Sequence, residues 1–166
     1  MAATSNRKHS RSHRSDIWSD VLSGRAPLAV LYTYSPMEHI ALVREGVPAA
    51  MLPLVADELA ITRDRLYRTI GVPRATMDRK IRMRQRLDPD ESERLLGIAR
   101  LVGQVEQMVR ESGEAEGFDA ARWVAGWLET PLEALGGSPP AALMDTAEGR
   151  RLVSDLLAQI QSGAYA

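Results

Sequence analysis

The residues best suited to chemistry in this 166-residue chain are cations. Between positions 63 and 86 stand Arg63, Arg65, Arg68, Arg74, Arg79, Lys80, Arg82, Arg84 and Arg86, nine in all, against only Asp64 and Asp78. Guanidinium and ammonium groups at this density suit a polyanion, because each can displace a counterion from a phosphate while donating hydrogen bonds to it. The bland alternative is a solvated helix face. Groups for other chemistry are scarce. There is no cysteine, which removes thiolate nucleophiles, CxxC redox pairs, disulfides and cysteine zinc clusters. His9 and His13 are four apart, but neither they nor His39 have carboxylate or thiolate company, so no metal site is expected. No serine sits in a nucleophile elbow, no GxxxxGK phosphate loop exists, and Gly136-Gly137 reads as turn chemistry. The expectation is no catalytic residue, no cofactor and no enzymatic activity.

The formal net charge of −1 conceals a division along the chain. Residues 1–86 hold 15 basic side chains against 8 acidic ones, and residues 87–166 hold 6 against 14. The first half suits phosphate and the second repels it. The length fits the ~100–200 residues of one domain, or two small ones. An apolar content of 45% is enough for a real core. No apolar run approaches the ~18 residues needed to cross a bilayer, and residues 7–16 lack a signal-sequence core, so a cytoplasmic protein without membrane contact is expected.

The elements that must position the cations read almost entirely as helix. Residues 1–16 form a basic arm with little to bury. The run Ala26 to Tyr34 favours a lone strand or an extended packing segment. Ser35, Pro36 and Glu38 supply an N-cap, a first-turn proline and a capping-box acid for a helix through Arg44, ended by Gly46. A second helix spans Pro48 to Ala60, with Met51, Leu52, Val55 and Leu59 inward and Pro53 tolerated in its first turns. Thr62 caps Arg63 to Ile70, Gly71 makes a tight corner, and the next helix runs from Pro73 through Ile81. Asp88, Pro89, Asp90 and Glu91 start a long helix through Val109, with Leu95, Ile98, Val102, Val105 and Val109 as its core stripe. Glu111 to Gly117 reads as a linker. Asp119 then caps a helix carrying Trp123 and Trp127 as core residues, and Pro131 terminates it. Ala141 to Met144 form a short helix. The last helix begins at Asp145 with Glu148 in capping-box register and buries Leu152, Val153, Leu156, Leu157 and Ile160, with Gly163 closing it.

Thr62 to Ile81 has the spacing of a helix-turn-helix: Leu66 and Ile70 inward, Gly71 at the corner, Val72 in the turn and Met77 as anchor. The second helix presents Arg74, Thr76, Arg79 and Lys80 outward, where donors reach phosphates and base edges. Tyr67 stands where such motifs carry a small residue, and Lys80 where an apolar one is common, with Ile81 as its substitute.

The C-terminal residues carry a resemblance. Trp123 to Leu128, Thr130-Pro131, Ala134-Leu135-Gly136-Gly137, Pro139-Pro140, Leu143-Met144-Asp145-Thr146, Glu148-Gly149, Val153, Leu156-Leu157, Ile160 and Gly163 together resemble the C-terminal domain of Xre-type antitoxins from RES/Xre toxin-antitoxin systems. The likeness extends over residues 46–166. It implies an all-α fold, a helix-turn-helix domain followed by a small helical toxin-binding domain. Combined with the composition of the residues before it, the likeness divides the chain into a flexible basic arm at 1–25, a DNA-binding and dimerisation domain at 26–110 and a toxin-binding domain at 118–166. It also implies two partners, operator DNA and a RES-domain toxin that consumes or transfers from NAD, with a homodimer inside a larger complex. Carried over by position, Arg74, Thr76, Arg79 and Lys80 meet DNA, with Arg82 and Arg84 near its backbone, and the toxin contact falls at Leu156, Gln159, Ile160, Gly163 and Tyr165. The competing reading is a dimeric helix-turn-helix regulator without a toxin partner.

Overall fold

Capping chemistry sets most of the helix boundaries in the computed structural model, which describes residues 17–113 and 116–161. A first helix, α1, covers residues 17–22. Helix α2 (Pro36–Glu45) starts with the expected capping box, Ser35 accepting from the Glu38 amide while the Glu38 carboxylate accepts from the Ser35 amide. Helix α3 (Met51–Glu58) follows, and Pro53 falls in its first turn, where its missing N–H costs no intrahelical bond. Helices α4 (Arg63–Thr69) and α5 (Arg74–Arg82) form the helix-turn-helix. The long α6 (Pro89–Ser112) carries a second capping box between Asp88 and Glu91. Helices α7 (Ala120–Trp127) and α8 (Ala147–Gln161) complete the order, joined by 3-10 turns at Glu133–Leu135 and Pro140–Leu143.

Three local expectations are corrected. Ala26 to Tyr34 contains no strand; Leu28–Thr33 is a 3-10 helix. With no neighbouring strand to pair with, its amides turn to carbonyls three residues back, as from Val30 to Pro27, and Leu31 is driven into the core against α6. Helix α8 is capped by Thr146, whose Oγ1 accepts from the Gly149 amide at 3.0 Å, rather than by Asp145. Of the five residues expected inward on α8, Val153, Leu156 and Leu157 are buried, whereas Leu152 and Ile160 are exposed.

The buried residues, from Ile17 to Leu157, form one continuous cluster around α6. Leu95, Ile98, Val102 and Val105 lie on the inner face of α6, as their spacing requires. Polar contacts complement that packing. The buried Ser92 hydroxyl accepts from the Val47 amide at 2.9 Å, tying α6 to the start of α3. Gln104 of α6 and Ser154 of α8 exchange two hydrogen bonds, 2.9 and 2.8 Å. His39 of α2 donates from Nε2 to the Leu31 carbonyl at 2.7 Å, and its half-buried position lowers its pKa by desolvation, favouring the neutral ring. That histidine is a structural group. Among the described residues no cluster of histidine, aspartate and glutamate has the form of a metal site; His9 and His13 lie outside them.

Candidate nucleic-acid and partner surfaces

The turn between α4 and α5 is held from three sides. Gly71 adopts φ +63°, the left-handed conformation that the corner demands. Arg94 of α6 donates from Nη1 to the Gly71 carbonyl at 2.8 Å and to that of Ile70 at 3.4 Å, capping the end of α4, while its Nη2 pairs with Asp90 at 2.6 Å. Asp145, just ahead of α8, packs over the same corner, where a Cβ on Gly71 would come within 2.7 Å of the Asp145 Cβ. Leu66, Ile70 and Met77 are fully buried, so the spacing that suggested the motif is its packing register.

The structure sorts the nine cations into two groups. Arg63, Arg68, Arg79, Arg82 and Arg84 are exposed and form no ion pair among the described residues. The other four are engaged. Arg65 reaches Glu129 at 3.2 Å and the Ala125 carbonyl at 3.1 Å, joining α4 to α7. Arg74 pairs with Asp64 and Asp78, and Arg86 with Glu45. Arg79, Arg82 and Arg84 are exposed, Arg74 is exposed but paired, and Thr76 is half-buried. Arg63 and Arg68 add two exposed cations from α4, unlike Arg65 between them, which is partly enclosed by its contacts with α7 and Glu129.

Lys80 departs from the expectation that it points outward. Its side chain is 13% exposed, and its ammonium binds the Glu91 carboxylate of the α6 capping box, with Asp88 at 3.8 Å. Ile81 is only partly buried, so Lys80 itself fills the inward position, with its charge compensated. Lys80→Ala is expected to cost about 1–3 kcal/mol, because Glu91 is left half-enclosed without its cation. Denaturant titration would register this as a lower midpoint, with DNA affinity per folded molecule unchanged; loss of affinity at constant stability would contradict the inward assignment.

Tyr67, the other departure, is buried, and its hydroxyl donates to Asp78 Oδ1 at 3.2 Å. Burial and the adjacent Asp78 carboxylate raise its pKa above the usual phenol value. The larger side chain is accommodated by this hydrogen bond to α5.

At the C-terminal end, α8 packs on α6 through Val153, Leu156 and Leu157, and Arg150 bridges to Glu93 at 3.4 Å. Leu156 is buried, so it supports the helix from beneath rather than facing outward, whereas Gln159 and Ile160 lie on its exposed side. Gly163 and Tyr165 lie outside the described residues. The tryptophans split: Trp127 is buried, while Trp123 is 37% exposed, stacks on Trp127 with ring centroids 6.0 Å apart, and meets the exposed Phe118 in a tilted contact at 6.4 Å. The four-residue spacing gave no sign of that difference. No described helix is long and apolar enough to cross a membrane.

Comparison with known proteins identifies two domains. Residues 38–100 match the Antitoxin Xre-like helix-turn-helix domain, and residues 115–163 match the Antitoxin Xre/MbcA/ParS C-terminal toxin-binding domain. A protein of Sphingobium sp. (strain YBL2) named "Prs ADP-ribosylating antitoxin" is 45% identical over 145 residues, covering 86% of this chain and 91% of that one. Proteins named "Antitoxin Xre" from Yersinia enterocolitica and Pseudomonas putida are 29% and 27% identical, over 75% and 78% of this chain and 90% and 74% of their own lengths. With a helix-turn-helix braced against α6 and a toxin-binding unit packed on the same helix, the chain belongs to the Xre family of antitoxins.

Proposed function

We propose that the chain neutralises a RES-domain, NAD-using toxin by binding it directly and covering its active site, and that it represses its own operon through α4 and α5. The arm expected at 1–25 cannot extend that far, because residues 17–22 are helical and Ile17, Trp18 and Val21 are buried in the core; residues 1–16 serve as the basic arm, 26–110 bind operator DNA and dimerise, and 118–166 hold the toxin, within a larger cytoplasmic toxin-antitoxin complex. The chain itself performs no catalysis in this reading. The observation that carries it is the joining, in one chain, of a toxin-binding C-terminal unit to a helix-turn-helix in and beside which five exposed arginines form no ion pair among the described residues. The name of the Sphingobium relative links that protein to ADP-ribosylation, and ADP-ribose transfer draws on NAD, which supports a toxin of that chemistry here. Gln159 and Ile160, on the exposed side of α8, lead toward Gly163 and Tyr165 as the toxin contact.

The experiment is co-expression with the product of the adjacent gene, followed by pull-down and by measurement of growth and cellular NAD. The expected result is a neighbour that alone arrests growth and depletes NAD, both reversed by a stable complex with this chain. A neighbour that neither binds nor harms the cell would defeat the RES assignment and leave a dimeric regulator.

A further inference from the structure

The segment 63–86 contains only two carboxylates, and both converge on one arginine. Arg74, the first residue of α5, places Nη1 at 2.7 Å from Asp64 Oδ2 and Nε at 3.3 Å from Asp78 Oδ2. Asp78 is itself held: its other oxygen accepts from the buried Tyr67 hydroxyl at 3.2 Å. Acids on a phosphate-facing surface reduce its attraction for DNA, so placing them there is a cost to general affinity. They do not fall on the five neighbouring exposed arginines. They form instead a frame around a side chain that is still 67% exposed.

We propose that Arg74 is the base-reading arginine of this helix-turn-helix, and that Asp64, Asp78 and Tyr67 are positioning residues that preset its guanidinium. The inference rests on the reading of α4 and α5 as a DNA-binding face. The N-terminal residues of a recognition helix lie nearest the base edges, and a planar guanidinium fork matches the two acceptors of a guanine. A long side chain that is already ordered loses less freedom on binding, so the frame strengthens the contact that depends on geometry and leaves untouched the contacts that depend on charge alone. Arg63, Arg68, Arg79, Arg82 and Arg84, with no frame, supply the latter. The tyrosine that is anomalous in the motif thus has a task, since a small residue at position 67 would leave Asp78 held by Arg74 alone.

The test measures binding of the full-length chain, across a range of salt, to a duplex taken from upstream of its own gene and to a shuffled duplex of equal length and composition. The wild-type ratio of the two affinities is the readout. Arg74→Lys, which keeps the charge but not the fork, is expected to lower the ratio about tenfold to hundredfold with the salt slope unchanged. Tyr67→Phe, nearly isosteric, lowers it about threefold to tenfold, with the melting temperature checked alongside. Asp64→Asn lowers the ratio while raising affinity for the shuffled duplex. The proposal is overturned if Arg74→Lys and Tyr67→Phe preserve the ratio and Asp64→Asn strengthens both duplexes equally, because the acids would then only neutralise charge. Wild-type protein that binds neither duplex would instead defeat the DNA-binding reading beneath it.

Discussion

Gly149→Ala is expected to lower the melting temperature by about 10 °C and to abolish co-purification with the toxin, from the addition of a single methyl group. Gly149 is buried at the start of α8, and a Cβ there would drive into the Leu143 carbonyl oxygen of the preceding 3-10 turn and meet Thr146 Oγ1 at 2.7 Å. Thr146 is the residue that caps α8 through the Gly149 amide, so relieving the clash also breaks the cap. A backbone oxygen cannot swing aside as a side chain can. The helix must lift, and with it Val153, Leu156 and Leu157 leave the face of α6. Losing that much packing places the substitution in the rare class that costs more than about 4 kcal/mol. Gly126→Ala is the matched control. It lies in the neighbouring α7 with open space around it, and should raise stability by about 0.5–1 kcal/mol through helix propensity. Scanning calorimetry on the two variants should give shifts of opposite sign; a Gly149→Ala transition within about 2 °C of wild type would contradict the packing argument.

Double replacement of Arg79 and Arg82 by alanine should weaken DNA binding on the order of 50-fold per protomer at 0.1 M salt and flatten the dependence of log K on log salt by about 1.8. Both arginines are exposed on α5 and form no ion pair among the described residues, which leaves them open to phosphate. With all five free arginines engaged, the slope approaches about 4.5 per protomer. Arg84 offers a sharper separation of fold from function. It takes φ +51° directly after α5, a conformation that glycine adopts without strain. Arg84→Gly should therefore hold or raise the melting temperature while removing about 0.9 from the slope. An unchanged slope in both variants, measured by fluorescence anisotropy between 50 and 200 mM salt, would show that this face does not meet phosphate.

Local rules recovered most of the helices because capping and periodicity act over a few residues. Ser35 with Glu38 and Asp88 with Glu91 specify their helix starts by hydrogen bonds three residues apart, and Gly71 announces its corner through a backbone preference. The same range limits what such rules can see. The Arg74–Asp78 pair is legible at i,i+4, but Asp64, ten residues from Arg74, joins the frame only when α4 and α5 fold against each other.

By itself, then, the sequence determined the all-α architecture, the helix-turn-helix register and the uneven distribution of charge, since each depends on short-range geometry or on composition alone. Tertiary structure decided which charges remain available. Lys80 and Arg74 lie on the same helix as Arg79, yet the first is claimed by the α6 capping box, the second is framed by two aspartates, and the third forms no ion pair among the described residues. It also decided which apolar side chains of α7 and α8 are spent on α6 and which, like Trp123 and Ile160, remain exposed. The physical reason is the same in both cases: burial and ion pairing depend on partners distant in the chain, and a one-dimensional pattern records which face a residue lies on but not what that face meets.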